Sequence, residues 1–181
     1  MFGDSYKNKK SLSNFDNVLL EERKWREWTD NVLVHTLSPN IYRSWNEALE
    51  SFEYFSKVGE WEKIFPSWER YLVIYVGASV MYFVGKRLKK RHNLKGDIRD
   101  SLYDCCKFWL KSIGKNKRFL GGDQPNLADL AVYGVLSSIE GCQAFKDLLR
   151  NVELLGPWYY SIKELCSSQT GSFILEKSSN R

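Results

Sequence analysis

Proline and strand-like alternation are scarce in this 181-residue chain. It contains only four prolines, and no stretch alternates between polar and apolar residues as a half-buried strand would. Turn signals are sparse between long segments in which apolar residues recur at helical spacing. These absences argue against a sheet, and the sequence predicts a single, all-α domain.

The cysteines form no recognisable functional pattern. None of the four belongs to a Cys-x-x-Cys pair, so the sequence carries neither a thiol redox motif nor a zinc pattern. Cys105 and Cys106 are adjacent and point to different sides of a helix. Because no base partner is recognisable in the sequence, we expect them to be packing residues rather than nucleophiles. The lack of a disulfide framework favours a reducing, cytoplasmic compartment.

Membrane and nucleic-acid signals are weak. The longest apolar run, residues 71–85, is shorter than the roughly 20 residues of a membrane span, and it predicts a buried core helix. The N-terminus lacks the apolar core of a secretion signal. The net charge of +5 is modest, and the basic run 86–95 has no neighbouring stacking motif. We therefore expect no nucleic-acid partner, and membrane attachment only through segments outside this sequence.

Residues 124–136 contain the strongest local signal in the chain. Asn126 is a favourable helix N-cap, and Asp129, three residues later, completes a capping box. No charge follows before Glu140, so the pattern predicts a capped helix at the centre of the core. Gly134 predicts the close approach of a neighbouring helix. We interpret the box as structural, not as a catalytic or metal site.

The remaining patterns divide the chain into three parts. Residues 1–15 are predicted to be a disordered arm or linker remnant, residues 16–167 a helical domain and residues 168–181 a tail. Within the domain, about six to seven helices are expected around the capped central helix. Pro39 is predicted to end the first of them, Ser44 to cap the second, Gly59 to stop it, and Asp97 to begin the helix that Gly114 closes.

The capped helix, the Gly121–Gly122 loop before it and the helical remainder resemble the C-terminal domain of glutathione transferases. A closer resemblance, to the type-2, membrane-associated prostaglandin E synthases, extends from about Glu21 to Ile162. The motifs that carry it are Lys24-Trp25-Arg26, Leu33-Val34-His35, Ser38-Pro39-Asn40-Ile41-Tyr42-Arg43, Glu47-Ala48-Leu49, Lys86-Arg87-Leu88, Gly121-Gly122, residues 125–136 and Pro157-Trp158-Tyr159.

This resemblance implies a parent protein that isomerises an endoperoxide prostaglandin with glutathione. In that family an N-terminal glutaredoxin-like domain carries the Cys-x-x-Cys motif, and nothing in this sequence matches that domain. We expect this chain alone to be inactive, with no catalytic residue and no metal site. The faces of the first and the long helix that would meet the other domain should be apolar and partly exposed. We therefore expect a homodimer.

Four residues are candidates for cofactor binding. His35 and Ser38 are three apart, and Arg87 and Arg91 four apart, so each pair shares a helix face. The resemblance implies that they line an interdomain cleft where glutathione and haem can bind. The alternative is that His35 is a core histidine and that the arginines pair with acidic residues. We expect no cofactor on this chain alone.

Three rival functions remain open. A stand-alone helical domain of this type can be a non-enzymatic interaction module, in which case the basic end of the long helix, including Lys89 and Lys90, would matter. The parent can be a glutathione transferase of another substrate class. The domain itself can bind haem through His35.

Overall fold

A computed structural model describes the backbone of residues 3–91 and 97–168, and the side chains of residues 16–88 and 97–168. The described residues form an all-α bundle without a strand, as predicted, and their β-structure is limited to an isolated bridge between Phe119 and Gly122. The helices are α1 (Gly3–Trp28), a π-helical segment (Thr29–Leu33), α2 (Val34–Ile41), α3 (Trp45–Val58), α4 (Trp61–Ile64), α5 (Ser67–Arg91), α6 (Ile98–Ile113), α7 (Leu127–Ser137), α8 (Gln143–Asn151) and α9 (Leu155–Ser168).

The first helix includes the backbone of residues 3–15, where a disordered arm or linker remnant was predicted. Pro39 lies inside α2 and does not end it. The proline is buried, and the helix continues until Tyr42 N–H donates to the Ser38 carbonyl at 3.1 Å. Burial of the flanking residues therefore outweighs the proline signal.

Local capping signals predicted other helix boundaries correctly. The Ser44 hydroxyl accepts from Glu47 N–H at 3.2 Å at the start of α3, and Gly59 follows its end. Asp97 caps α6 by accepting from Arg99 N–H at 3.0 Å. Gly114 closes that helix with a φ of 78°, a conformation that glycine adopts without strain.

The capping box of α7 is complete and deeply buried. The Asn126 side chain accepts from the N–H groups of Ala128 and Asp129 at 3.0 and 3.1 Å. The Asp129 carboxylate, which is fully buried, accepts from Asn126 N–H at 3.1 Å. It also accepts from three more distant donors, namely Leu120 N–H at 3.0 Å, Gly121 N–H at 3.1 Å and the Trp158 indole at 3.3 Å.

The rest of α7 is less enclosed than predicted. Ala128, Val132 and Leu136 are fully buried, whereas Leu127 and Leu130 on the other side are exposed. Gly134 is also exposed, and a Cβ there would meet no atom within 4 Å, so the predicted close approach was wrong. Only one face of α7 lies in the core, and α1, the π-helical segment and α9 all pack on that face.

The prediction that residues 71–85 form a buried core helix was wrong, whereas the expectation that one face of the long helix is apolar and partly exposed is confirmed. These residues belong to α5, which packs against α2, α3 and α4 on one side. A continuous apolar stripe remains exposed on its other side, at three- and four-residue spacing. We call this stripe the α5 face; it comprises Trp68, Tyr71, Leu72, Tyr75, Val76, Val80, Phe83 and Val84. None of the described helices has the length and apolar character needed to cross a membrane.

A buried arginine connects four helices near one end of the bundle. The Arg99 guanidinium on α6 contacts Glu47 of α3 at 2.8 Å and Asp147 of α8 at 3.2 Å. It also donates to the backbone carbonyl of Asn40, in α2, at 2.7 Å. The side chain of Arg99 is 3% exposed, so its charge is compensated by the protein rather than by water.

Replacing Asp129 with Asn should lower the free energy of unfolding by about 3 kcal/mol, because the amide group would face buried N–H donors that it cannot satisfy. Urea unfolding of wild type and variant measures this difference. Asp123→Asn makes the same chemical change at an exposed position and should change stability by less than about 0.5 kcal/mol. Equal effects of the two substitutions would contradict the role given to Asp129.

Replacing Arg99 with Met should cost about 3–5 kcal/mol, since it leaves the Glu47 and Asp147 carboxylates without their buried partner. Thermal and urea unfolding provide the measurement. Arg23→Met removes the exposed pair with Glu27 and serves as the control, with little expected effect. A loss of stability no larger than that of the control would show that the Arg99 charge is dispensable.

Candidate functional site

The candidate site lies where α2 crosses the C-terminal half of α5. The crossing is close because Gly85 has no side chain: a Cβ there would lie 3.2 Å from Tyr42 Cβ and 3.3 Å from the Tyr42 carbonyl oxygen. It would also lie 3.7 Å from the Ser38 carbonyl oxygen. The crossing therefore brings the backbone around Ser38 beside the turn of α5 that contains Arg87.

Three of the four predicted cofactor-binding residues lie in described parts of the two helices that meet at this crossing. His35 is exposed on α2, one turn before Ser38, which is half-buried. The alternative that His35 is a core histidine is therefore wrong. Arg87 is exposed on α5, and no ion pair involves it within the described part of the chain. The side chain of Arg91, like those of Lys89 and Lys90, lies outside the described residues.

The π-helical segment sets which residues of α2 face solvent. Thr29 at its start is buried, and its hydroxyl donates to the Trp25 carbonyl at 2.8 Å. The wider turn shifts the helical phase, so that Leu33 and Leu37 point into the core while His35 is exposed. Sequence periodicity alone gave no sign of this shift.

A cavity of about 390 Å³ opens at the same crossing. Two of the residues that line the cavity are sequence neighbours of predicted cofactor-binding residues, since Pro39 follows Ser38 and Lys86 precedes Arg87. The lining residues are Pro39, Tyr42, Arg43, Gly85, Lys86, Asp97 and Ile98. Its charged groups were not predicted as site residues, although Arg43 and Lys86 belong to the motifs that carried the resemblance.

The charged groups of this cavity are held in place by one another. Arg43 contacts Glu47 at 2.8 Å and Asp97 at 3.6 Å. The Arg99 N–H lowers the pKa of the Asp97 carboxyl below its usual value, with a further contribution from the Arg43 charge. The Lys86 ammonium lies 4.5 Å from the centre of the Tyr82 ring. The cavity therefore offers two cations beside an ionised carboxylate, an arrangement suited to a polar ligand that carries both signs of charge.

Three of the four cysteines are poor nucleophiles in this environment. Cys106 is buried, and burial raises the pKa of its thiol far above the usual value. Burial likewise raises the pKa of the Cys105 and Cys142 thiols. Because the thiolate is the reactive form, these three residues are chemically suited to packing. Within residues 16–88 and 97–168, no three His, Cys, Asp or Glu side chains are grouped to hold a metal ion.

Comparison with known proteins connects this bundle to a family. Over 139 residues, 77% of the chain, it is 50% identical to prostaglandin E synthase 2 of Mus musculus and 49% identical to prostaglandin E synthase 2 of Danio rerio. The match covers 35% and 36% of those two relatives, in their C-terminal part, so the chain spans about a third of their length. No protein-family model matches the chain. Since about half of the aligned residues are identical, the chain is similar to the C-terminal part of prostaglandin E synthase 2.

Proposed function

We propose that this chain is the C-terminal domain of a glutathione transferase-like prostaglandin E synthase type-2 protein. The observation that carries the proposal is the 50% identity over 139 residues to prostaglandin E synthase 2 of Mus musculus. In the parent protein this domain supplies one wall of the glutathione and substrate cleft. The reacting thiol comes from glutathione or from an N-terminal glutaredoxin-like domain, so the chain alone is inactive.

The geometry of the crossing supports a role as a cleft wall. Arg87 is exposed on α5, and its guanidinium can donate to a carboxylate through two N–H groups. The neighbouring cavity is half-open and adds Arg43 and Lys86. Glutathione, with two carboxylates and one ammonium group, matches a wall that carries both cations and Asp97.

Haem would make fewer contacts with this wall than glutathione would. Among the described residues of these helices, His35 has an exposed imidazole of the kind that ligates haem iron, while Arg87 could meet a propionate. Bound haem would supply redox and ligand-exchange chemistry. The residues of this chain would hold and orient it, but they would enclose only one side.

We further propose that two copies of the parent protein assemble through the α5 face. Its two most exposed members, Trp68 and Phe83, are each 67% exposed, and the stripe between them is apolar throughout. Continuous exposed apolar surface of this kind is typical of an interaction site. A twofold pairing of one helix with its symmetry mate would cover the same stripe on both copies.

Glutathione binding tests the cleft proposal. The chain alone should bind glutathione undetectably and show no isomerase turnover. A chimera in which the N-terminal part of the mouse relative precedes this chain should bind it, and Arg87→Ala should weaken that affinity by about tenfold, the effect of one lost charge-assisted hydrogen bond.

Arg118→Ala removes an exposed arginine near the other end of α6 and should leave the affinity of the chimera unchanged. Isothermal titration calorimetry measures all four proteins: the chain alone, the chimera and its two variants. If the Arg87→Ala chimera bound glutathione as tightly as the unsubstituted chimera, the assigned role of Arg87 would be contradicted. Turnover by the chain alone would contradict the proposal that the reacting thiol lies elsewhere.

Sedimentation equilibrium tests the assembly. The chain should be dimeric, and Leu72→Glu combined with Val76→Glu should make it monomeric by placing charges in the centre of the α5 face. Leu127→Glu introduces the same charge at an exposed leucine of α7, where a carboxylate also suits the helix N-terminus, and should leave the dimer intact. A wild-type monomer at high concentration would refute the assembly.

A further inference from the structure

A groove at the C-terminal end of α6 combines an apolar floor with a concentrated positive charge. Two cavities of about 670 and 460 Å³ lie side by side there and share Leu110, Gly114, Lys115 and Leu154 as lining residues. They therefore form one continuous depression, which we call the basic groove. Its walls come from the ends of α6 and α8, the loop after α6 and the start of α9.

The side chains that line the basic groove carry a large excess of positive charge. Glu153 is its single acidic side chain, against six basic ones: Lys107, Lys111, Lys115, Lys117, Arg118 and Arg150. This excess of five equals the net charge of the whole sequence, +5. Of these six, only Arg150 has a carboxylate within 4.0 Å in the described part of the chain, Asp147 at 3.9 Å.

Helix stabilisation explains part of this charge but not all of it. Lys111 and Arg150 lie in the last turns of α6 and α8, where basic side chains offset the helix dipole. Lys115, Lys117 and Arg118 lie beyond the end of α6, in the loop, where the dipole no longer requires them. Clustering like charges has an energetic cost, so an anionic partner is the natural counterpart.

The floor of the groove is apolar. Ile113, Val152 and Trp158 are buried beneath it, and Leu154 is 71% exposed at the point where the two cavities meet. The larger cavity carries Lys107, Lys111, Arg150 and Glu153, whereas the smaller one carries Lys117 and Arg118 and extends to Pro157 and Trp158. The groove thus offers cations for an anionic group and, toward Pro157 and Trp158, an apolar floor for hydrocarbon.

We propose that the basic groove binds a single-chain amphiphile with an anionic head, such as an alkyl carboxylate. The head lies among Lys107, Lys111 and Lys115, and the chain lies over Leu154 toward Trp158. The cavity volumes fall in the range typical of small-ligand sites. Ile98 lines the α2–α5 crossing at the other end of α6, about 18 Å from Leu110 at the helical rise, so this site is separate from the proposed cleft.

The test measures binding of dodecanoate, below its micellar concentration, to the intact chain by isothermal titration calorimetry. We expect saturable binding that weakens with added salt and is absent for acetate. Lys111→Glu combined with Lys115→Glu should weaken it by at least about tenfold, the loss of two charge-assisted contacts. Arg26→Glu combined with Lys57→Glu makes the same charge change at exposed sites elsewhere and should bind as the wild type does.

Leu154→Ser, at an exposed position that folding does not require, tests the floor independently and should also weaken binding. Equal weakening by the two charge-reversed pairs would overturn the proposal, because it would show a general effect of net charge. Equally tight binding of dodecyl maltoside would overturn the role of the anionic head. Binding only to vesicles that contain phosphatidylserine, with no binding of free dodecanoate, would overturn the small-ligand site in favour of a lipid surface.

Discussion

The carboxylate of Asp129 is the constraint on which the arrangement of this bundle depends. It is fully buried, and donors reach it from three separate parts of the chain: the loop at Leu120 and Gly121, the start of α7 at Asn126, and α9 at Trp158. An ionised group in this position is tolerated only if its oxygens are saturated with donors. The loop, α7 and α9 must therefore assemble together, since none of the partial assemblies satisfies the charge.

The buried charge of Arg99 also connects several helices, at the other end of the molecule. Arg99 contacts α2, α3 and α8 at once, and its neighbour Asp97 contacts Arg43 in the candidate cavity. Buried ion pairs contribute more to specifying one arrangement than to net stability. In this bundle they fix the position of α2 relative to α6. The polar wall at the crossing is consequently attached to a rigid support.

The sequence predicted contacts between residues that are close together in the chain, and it missed contacts between residues that are far apart in it. The caps at Ser44, Asp97 and Asn126 were predictable because a cap and its helix are adjacent in the chain. The donors from Leu120 and Trp158 to Asp129 were not, since only the tertiary fold brings them together. The partly exposed face of α5 was expected from the family resemblance and not from its own pattern, because a helix that is apolar on all sides appears the same in sequence whether the rest of the domain or another molecule covers it. His35 was placed on the correct helix, but its exposure depends on the π-helical turn, which has no simple sequence signature.

Because residue 85 is a glycine, α5 lies close to the C-terminal end of α2. A side chain at this position would meet Tyr42 and displace one of the two helices. A rotation imposed along the apolar stripe by a bound partner would therefore also move Tyr42 and the cavity that it lines. In a protein built this way, subunit pairing and the shape of the ligand wall would evolve as a single trait.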